Sequence, residues 1–296
     1  RISHQRAQLH YIRFIDHPDP DVLHLSAPPL LDKIMLPWTS LLLLFAMHTM
    51  LCGEELISAA NQDASPTNQR RAYGNACGPA ALLNAFHYGS EKWQRPYNAI
   101  PGDDSKSRID YVISKWGLTQ SKHIKGVQRW NQQQGINLVD LHDIANEMCS
   151  YHWLPKVKYE ILTRKKSEQP TDLLKHSHGR ISKSLKKGLP PIICIRRYAY
   201  RNSKELKSKS WWPISAHFIV IIETSKNIES NADSYKIKYV DPYGGYIREG
   251  TIHTDTASFT DSPFLGATLP SASIGNSLVK EGEKSILTYS AIIGRW

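Results

Sequence analysis

Asn75-Ala-Cys-Gly-Pro-Ala-Ala-Leu-Leu-Asn-Ala-Phe-His87 places a cysteine at the mouth of a helix. Pro79 falls in the first turn, where its missing N–H would have found no intrahelical acceptor, and good helix formers follow. Leu82, Leu83 and Phe86 line one face, and Gly89 closes the segment. A helix start leaves N–H groups unpaired and favours negative charge, the condition under which a cysteine reacts as a thiolate. Gly74 and Gly78 bracket Cys77 with positions free of side chains. A substrate backbone can approach there, and the Cys77 N–H stays open to an oxyanion.

Outward from this helix, Ser107 to Trp116 and Leu138 to Met148 carry helical periodicity, with breaks at Gly117 and Gly135. Tyr159 to Thr163 reads as a short strand. A helix over 171–187 ends in Lys-Lys-Gly-Leu-Pro-Pro and feeds a strand at Ile192–Ile195. The last third is strand-rich, with Ala216–Glu223, Tyr235–Asp241 and Ile286–Ile293, whereas Thr251–Gly282 carries no clear period. Helices first and strands later predict an α+β domain.

Two residues in the strand-rich part complete a chemistry with Cys77. His217 opens the apolar run Phe-Ile-Val-Ile-Ile, so a strand would hold its imidazole rigidly. Asp241 ends the next strand, ahead of the turn Pro-Tyr-Gly-Gly. If the two strands form an antiparallel hairpin around the polar loop 224–234, the start of the first lies beside the end of the second. Asp241 would then orient His217 and stabilise its imidazolium, while His217 serves Cys77 as general base.

Asn75-Ala-Cys-Gly-Pro-Ala-Ala81, Ala216-His-Phe-Ile-Val-Ile and Tyr239-Val-Asp-Pro-Tyr-Gly-Gly245, in that order, resemble the bacteriocin-processing (double-glycine) peptidase-like family of the papain clan of cysteine peptidases. The connector Ile181-Ser-Lys-Ser-Leu-Lys-Lys-Gly-Leu-Pro-Pro-Ile-Ile193 resembles that family too. The resemblance spans about Tyr73 to Tyr246. It implies a papain-like fold, with an N-terminal helical part carrying the nucleophile and a C-terminal antiparallel sheet carrying histidine and aspartate. It also implies peptide-bond hydrolysis through a thioester acyl-enzyme, with no metal or organic cofactor. The papain pattern places an oxyanion-stabilising glutamine six residues before the cysteine. Arg71 stands there, Gln69 lies two residues too early, and Asn75 is the amide left as candidate oxyanion donor. Trp211 and Trp212 are candidates for lining a substrate groove. Two alternatives stay open: a peptide-binding module of the same fold without turnover, and a transglutaminase-like acyl transferase.

The apolar run Met35–Cys52 is too short and interrupted to span a bilayer, and reads as the core of a signal peptide over 35–60, with small residues Ser58, Ala59 and Ala60 as the cleavage site. Residues 1–34 read as an upstream segment preceding the true start, and polar residues 61–72 as a linker into a peptidase domain over 73–296. These boundaries predict an exported protein with no stable membrane span after cleavage. Leu51 before Cys52 argues against a lipid anchor. The net charge of +10 points to acidic partners, and the excess lies beyond residue 52, because Arg1, Arg6, Arg13 and Lys33 are matched by Asp16, Asp19, Asp21 and Asp32. With no RNA-binding signature or zinc spacing, nucleic acid is not the expected partner, and a peptide or protein substrate is. Cys52, Cys77, Cys149 and Cys194 show no framework spacing, although a disulfide between Cys149 and Cys194 is open on sequence alone.

Overall fold

Helix α1 (Cys77–His87) is buried from Cys77 to Phe86. A helix with no polar stripe becomes the centre of the packing. Asn84, fully buried within it, is satisfied by the backbone of Thr67, whose N–H donates to Oδ1 at 2.6 Å while Nδ2 donates to the Thr67 carbonyl at 3.2 Å. This pair ties the preceding segment to the helix. The computed structural model describes residues 55–72, 74–202, 208–256, 259 and 262–296.

Helices α2 (Glu91–Asn98), α3 (Ser105–Val112, widening into a π-helical turn over Ile113–Gly117) and α4 (Leu138–Tyr151) follow, with a short hairpin of β2 (Trp130–Asn131) and β3 (Gly135–Ile136) before α4. Their starts carry local chemistry that satisfies orphan N–H groups. Asp104 and Ser107 form a capping box on α3, and the Asn137 side chain accepts from Val139 and Asp140 at α4. The C-terminus of α4 closes with Trp153 N–H donating to Ser150 O and Leu154 N–H donating to Cys149 O. That is the Schellman pattern, and it places Trp153 at φ 54°, the left-handed position usually given to glycine.

Strand β4 (Lys158–Ile161) and helix α5 (Pro170–Lys186) lead into the sheet. Strands β5 (Ile192–Asn202), β6 (Lys209–Ser225), β7 (Ser234–Asp241), β8 (Tyr246–His253), β9 (Leu265–Thr268) and β10 (Lys284–Gly294) pair antiparallel in the order β6-β5-β10-β9-β8-β7, and β7 pairs back onto β6. The result is a closed six-stranded barrel, which leaves no free edge among those strands. Strand β1 (Leu56–Ser58) adds to β6, and β4 adds to β10. Helices thus precede a barrel, a mixed helix-and-sheet architecture.

Several elements depart from expectation. Strand β6 begins at Lys209 rather than Ala216, and β5 runs on to Asn202. Strands β8 and β9 carry too little apolar alternation to be read from sequence, and helix α2 is short, mostly polar and interrupted by Pro96. Leu56, Ile57 and Ser58 pair with Ser225, Thr224 and Glu223, and Ala59 is buried with its N–H donating to Ile222 O. Cleavage beside Ala60 would strip a strand from the sheet, so the fold begins before the 61–72 segment. That segment is not a loose linker, since Ala64, Thr67 and Gln69 are buried in it. Residues 1–54, which hold the expected upstream segment and signal-peptide core, lie outside the described residues. No helix among the described residues is long and apolar enough to cross a membrane.

Candidate active site

Cys77, His217 and Asp241 converge. Cys77 is the first residue of α1, after Ala76 and with no side-chain cap. Pro79 lacks an N–H, and among the described residues no group accepts the N–H of Cys77 or Gly78. Those two donors are unspent beside the sulfur, as a helix start requires. Gly78 permits this approach because any β-carbon there would overlap Ile136 of β3.

His217 lies in β6 opposite Ile195 of β5. Val220 opposite Val240 puts the middle of β6 beside the end of β7, and His217 Nε2 lies 2.7 Å from Asp241 Oδ1. Cys77 interacts with the same ring, and because Nε2 is engaged by Asp241, Nδ1 is the nitrogen left for the sulfur. Burial opposes the charged imidazolium. The Asp241 carboxylate, its hydrogen bond and Cys77 outweigh it, and raise the His217 pKa to about 10. Asp241 is likewise shifted down despite its burial, by His217, by the Tyr243 N–H donating to Oδ1 at 2.9 Å and by Arg248, whose Nε stands 3.7 Å from Oδ2. Cys77, His217 and Asp241 are 5%, 6% and 2% exposed, so their charges interact in a poorly screened environment.

The turn after Asp241 also builds the site. Gly245 (φ 67°) packs on Asn68, the Gln69 N–H donates to Pro242 O at 2.8 Å, and Arg70 lies over the Tyr243 ring. Gln69 therefore sits against the Asp241 turn. Its side chain is buried and its Oε1 has no partner. Gln69 lies two residues further from Cys77 than the papain spacing places its glutamine. The 3₁₀ turn Gln69–Arg71 and Gly74 at φ 64° lie between it and Cys77.

Asn75 does something other than expected. Its Nδ2 donates to the carbonyls of Gln132 at 3.1 Å and Gln133 at 2.9 Å, which uses both amide hydrogens, and its own carbonyl accepts from Trp130 Nε1. It clamps the β2–β3 hairpin against the nucleophile segment and has no donor left for an oxyanion. The tryptophans separate as well. Trp212 pairs with Ala199 and, through the irregularity beside Tyr198, shares a sheet face with His217, about 13 Å along the strand. Trp211 pairs with Tyr200 on the opposite face and stacks on Phe259, with centroids 5.0 Å apart, so it closes an aromatic cluster instead of lining a groove with His217.

Cys149 and Cys194 are buried and free, not joined. Burial pushes the Cys149 thiol up to about 12. Among the described residues, His123, Asp140 and Asp143 bring potential metal-ligating atoms within 4.8 Å of one another. His123 is paired with Asp143 and Asp140 with Ser121 and Asn137, a network flanking the Arg129–Glu147 ion pair. No family model matches the chain, and no curated protein matches it.

Proposed function

We propose that this protein is a cysteine peptidase of papain-like fold, related to the bacteriocin-processing peptidases, with Cys77 as nucleophile, His217 as general base and acid, and Asp241 as the residue orienting His217. The observation that carries the reading is the buried Cys77–His217–Asp241 line at the junction of a helix start and a barrel strand. An imidazole fixed by a carboxylate beside a sulfur at a helix N-terminus is the arrangement of a base-assisted thiol nucleophile.

The Cys77 sulfur attacks the scissile carbonyl carbon, and the carbonyl electrons move onto oxygen. The Cys77 N–H stabilises that oxyanion, and Gln69, in place of Asn75, supplies the second donor from its buried amide. As the oxyanion collapses, the C–N bond breaks and His217 gives its proton to the leaving amine, leaving a thioester. Neutral His217 then takes a proton from water, whose oxygen attacks the thioester. Collapse releases the carboxylic acid and returns the sulfur as thiolate beside the imidazolium. Asp241 stays ionised throughout and fixes the ring with Nδ1 toward sulfur.

Iodoacetamide labelling with peptide mapping, run beside hydrolysis of a mixed peptide library, tests the assignment. Cys77 is expected to label, Cys149 to stay unlabelled in the native protein, and Cys77→Ala to abolish hydrolysis with the fold intact by circular dichroism. Hydrolysis that survives Cys77→Ala would sink the reading.

A further inference from the structure

We propose that the surface formed by Trp153 and the basic groove beside it binds the anionic face of a phospholipid membrane. The inference is independent of the peptidase reading.

Trp153 is 96% exposed and occupies the left-handed position of the α4 C-terminal motif. Glycine adopts that conformation without cost, and a tryptophan strains it. Neither packing nor backbone geometry therefore accounts for this side chain. Tyr151, two residues earlier, is 66% exposed.

Pro155, two residues after Trp153, lines a groove of about 470 Å³ between the start of α2 and the end of α5. Lys92, Lys186, Lys187 and Arg295 also line it, with no aspartate or glutamate in the wall. Glu91 neighbours Lys92 in sequence but is not part of the wall. His152, adjacent to Trp153 in the chain, is shifted down by burial and by the charges of Arg95 and Lys115. Four cations free of acidic partners in the groove suit lipid phosphates, and an exposed indole two residues from the groove wall suits the headgroup boundary, where amphipathic rings partition. Single-stranded nucleic acid fits less well. It is held by successive aromatic platforms, and Trp153 has no ring partner among the described residues.

The test is co-sedimentation of the full chain with vesicles of phosphatidylcholine alone or mixed with phosphatidylglycerol, with single-stranded DNA and inorganic phosphate as competitors. The residue 35–52 segment is common to every variant, so differences between variants report on this surface. Wild type is expected to bind the phosphatidylglycerol vesicles more tightly and to release them in salt. Lys186→Glu with Lys187→Glu is expected to weaken binding by at least about fivefold per lysine. Trp153→Gly is expected to weaken it also while raising the melting temperature, which excludes unfolding as the cause. Equal binding by wild type and both variants, or DNA binding that displaces the vesicles and is lost in the same variants, would overturn the proposal. Phosphate at millimolar levels that merely mimics added salt supports it. Saturable displacement at low phosphate would overturn it by assigning the groove to a free anion.

Discussion

Replacing Asp241 with asparagine tests the electrostatic core of the site. The substitution keeps shape and a hydrogen-bonding oxygen near His217 Nε2 but removes the charge. In the native protein the carboxylate makes the largest contributions that raise His217 to about 10 against its burial. Without it burial dominates, and the ring should titrate below its ordinary 6.5. At pH 8 the protonated fraction then falls from nearly all to under about 3%, roughly a thirtyfold loss of imidazolium. Stability follows with a definite sign. His217 holds its proton more tightly folded than unfolded, so its contribution is complete below pH 6.5 and is lost as pH rises through about 10. Between pH 6.5 and 9 the native protein should lose on the order of 3 kcal/mol from this group, and Asp241→Asn should lose almost none. Histidine ring NMR titrations give the midpoints, and urea unfolding at several pH values gives the slopes. A native midpoint near 6.5, or parallel stability profiles for the two proteins, would refute the coupling.

Gln69→Ala should lower kcat by about 10²–10³ with little change in KM, as loss of an oxyanion donor does. Asn75→Ala should instead cost about 1–3 kcal/mol of stability by leaving the Gln132 and Gln133 carbonyls unpaired, and identical kinetic losses in both would contradict the assignment of the two amides. A chain starting at Asn61 loses β1, the Ser58–Glu223 hydrogen bond and buried Ala59, and should be less stable by about 2 kcal/mol in thermal unfolding. N-terminal mapping of the cellular protein should accordingly find a start upstream of Leu56, and a start at Asn61 would refute that. Trp153→Gly should gain about 1 kcal/mol by relieving the left-handed strain, measured by denaturation in the absence of lipid.

Local chemistry made much of this protein legible without coordinates. Pro79 and the alanine–leucine run specify α1 because proline costs a helix least in its first turn. The Gly-Leu-Pro-Pro stop before Ile192 marks where α5 ends and β5 begins. The apolar run after His217 marked a strand and the Asp241 turn a strand end, and pairing of the two strands brings the side chains together, although β6 extends back to Lys209 and holds His217 at its middle. Other features depend on contacts between residues distant in the chain. Closure of the barrel by β7 on β6, the capture of β1 as an edge strand, and the packing of β8 and β9 come from pairing partners that sequence periodicity does not record. Amide roles behaved the same way. Asn75 and Gln69 are both polar residues close before Cys77, and nothing local distinguishes a clamp from a free donor. Only the docking of the Trp130–Ile136 hairpin on Asn75 decides that this amide is spent, because a hydrogen bond is settled by the partner that tertiary packing brings within reach.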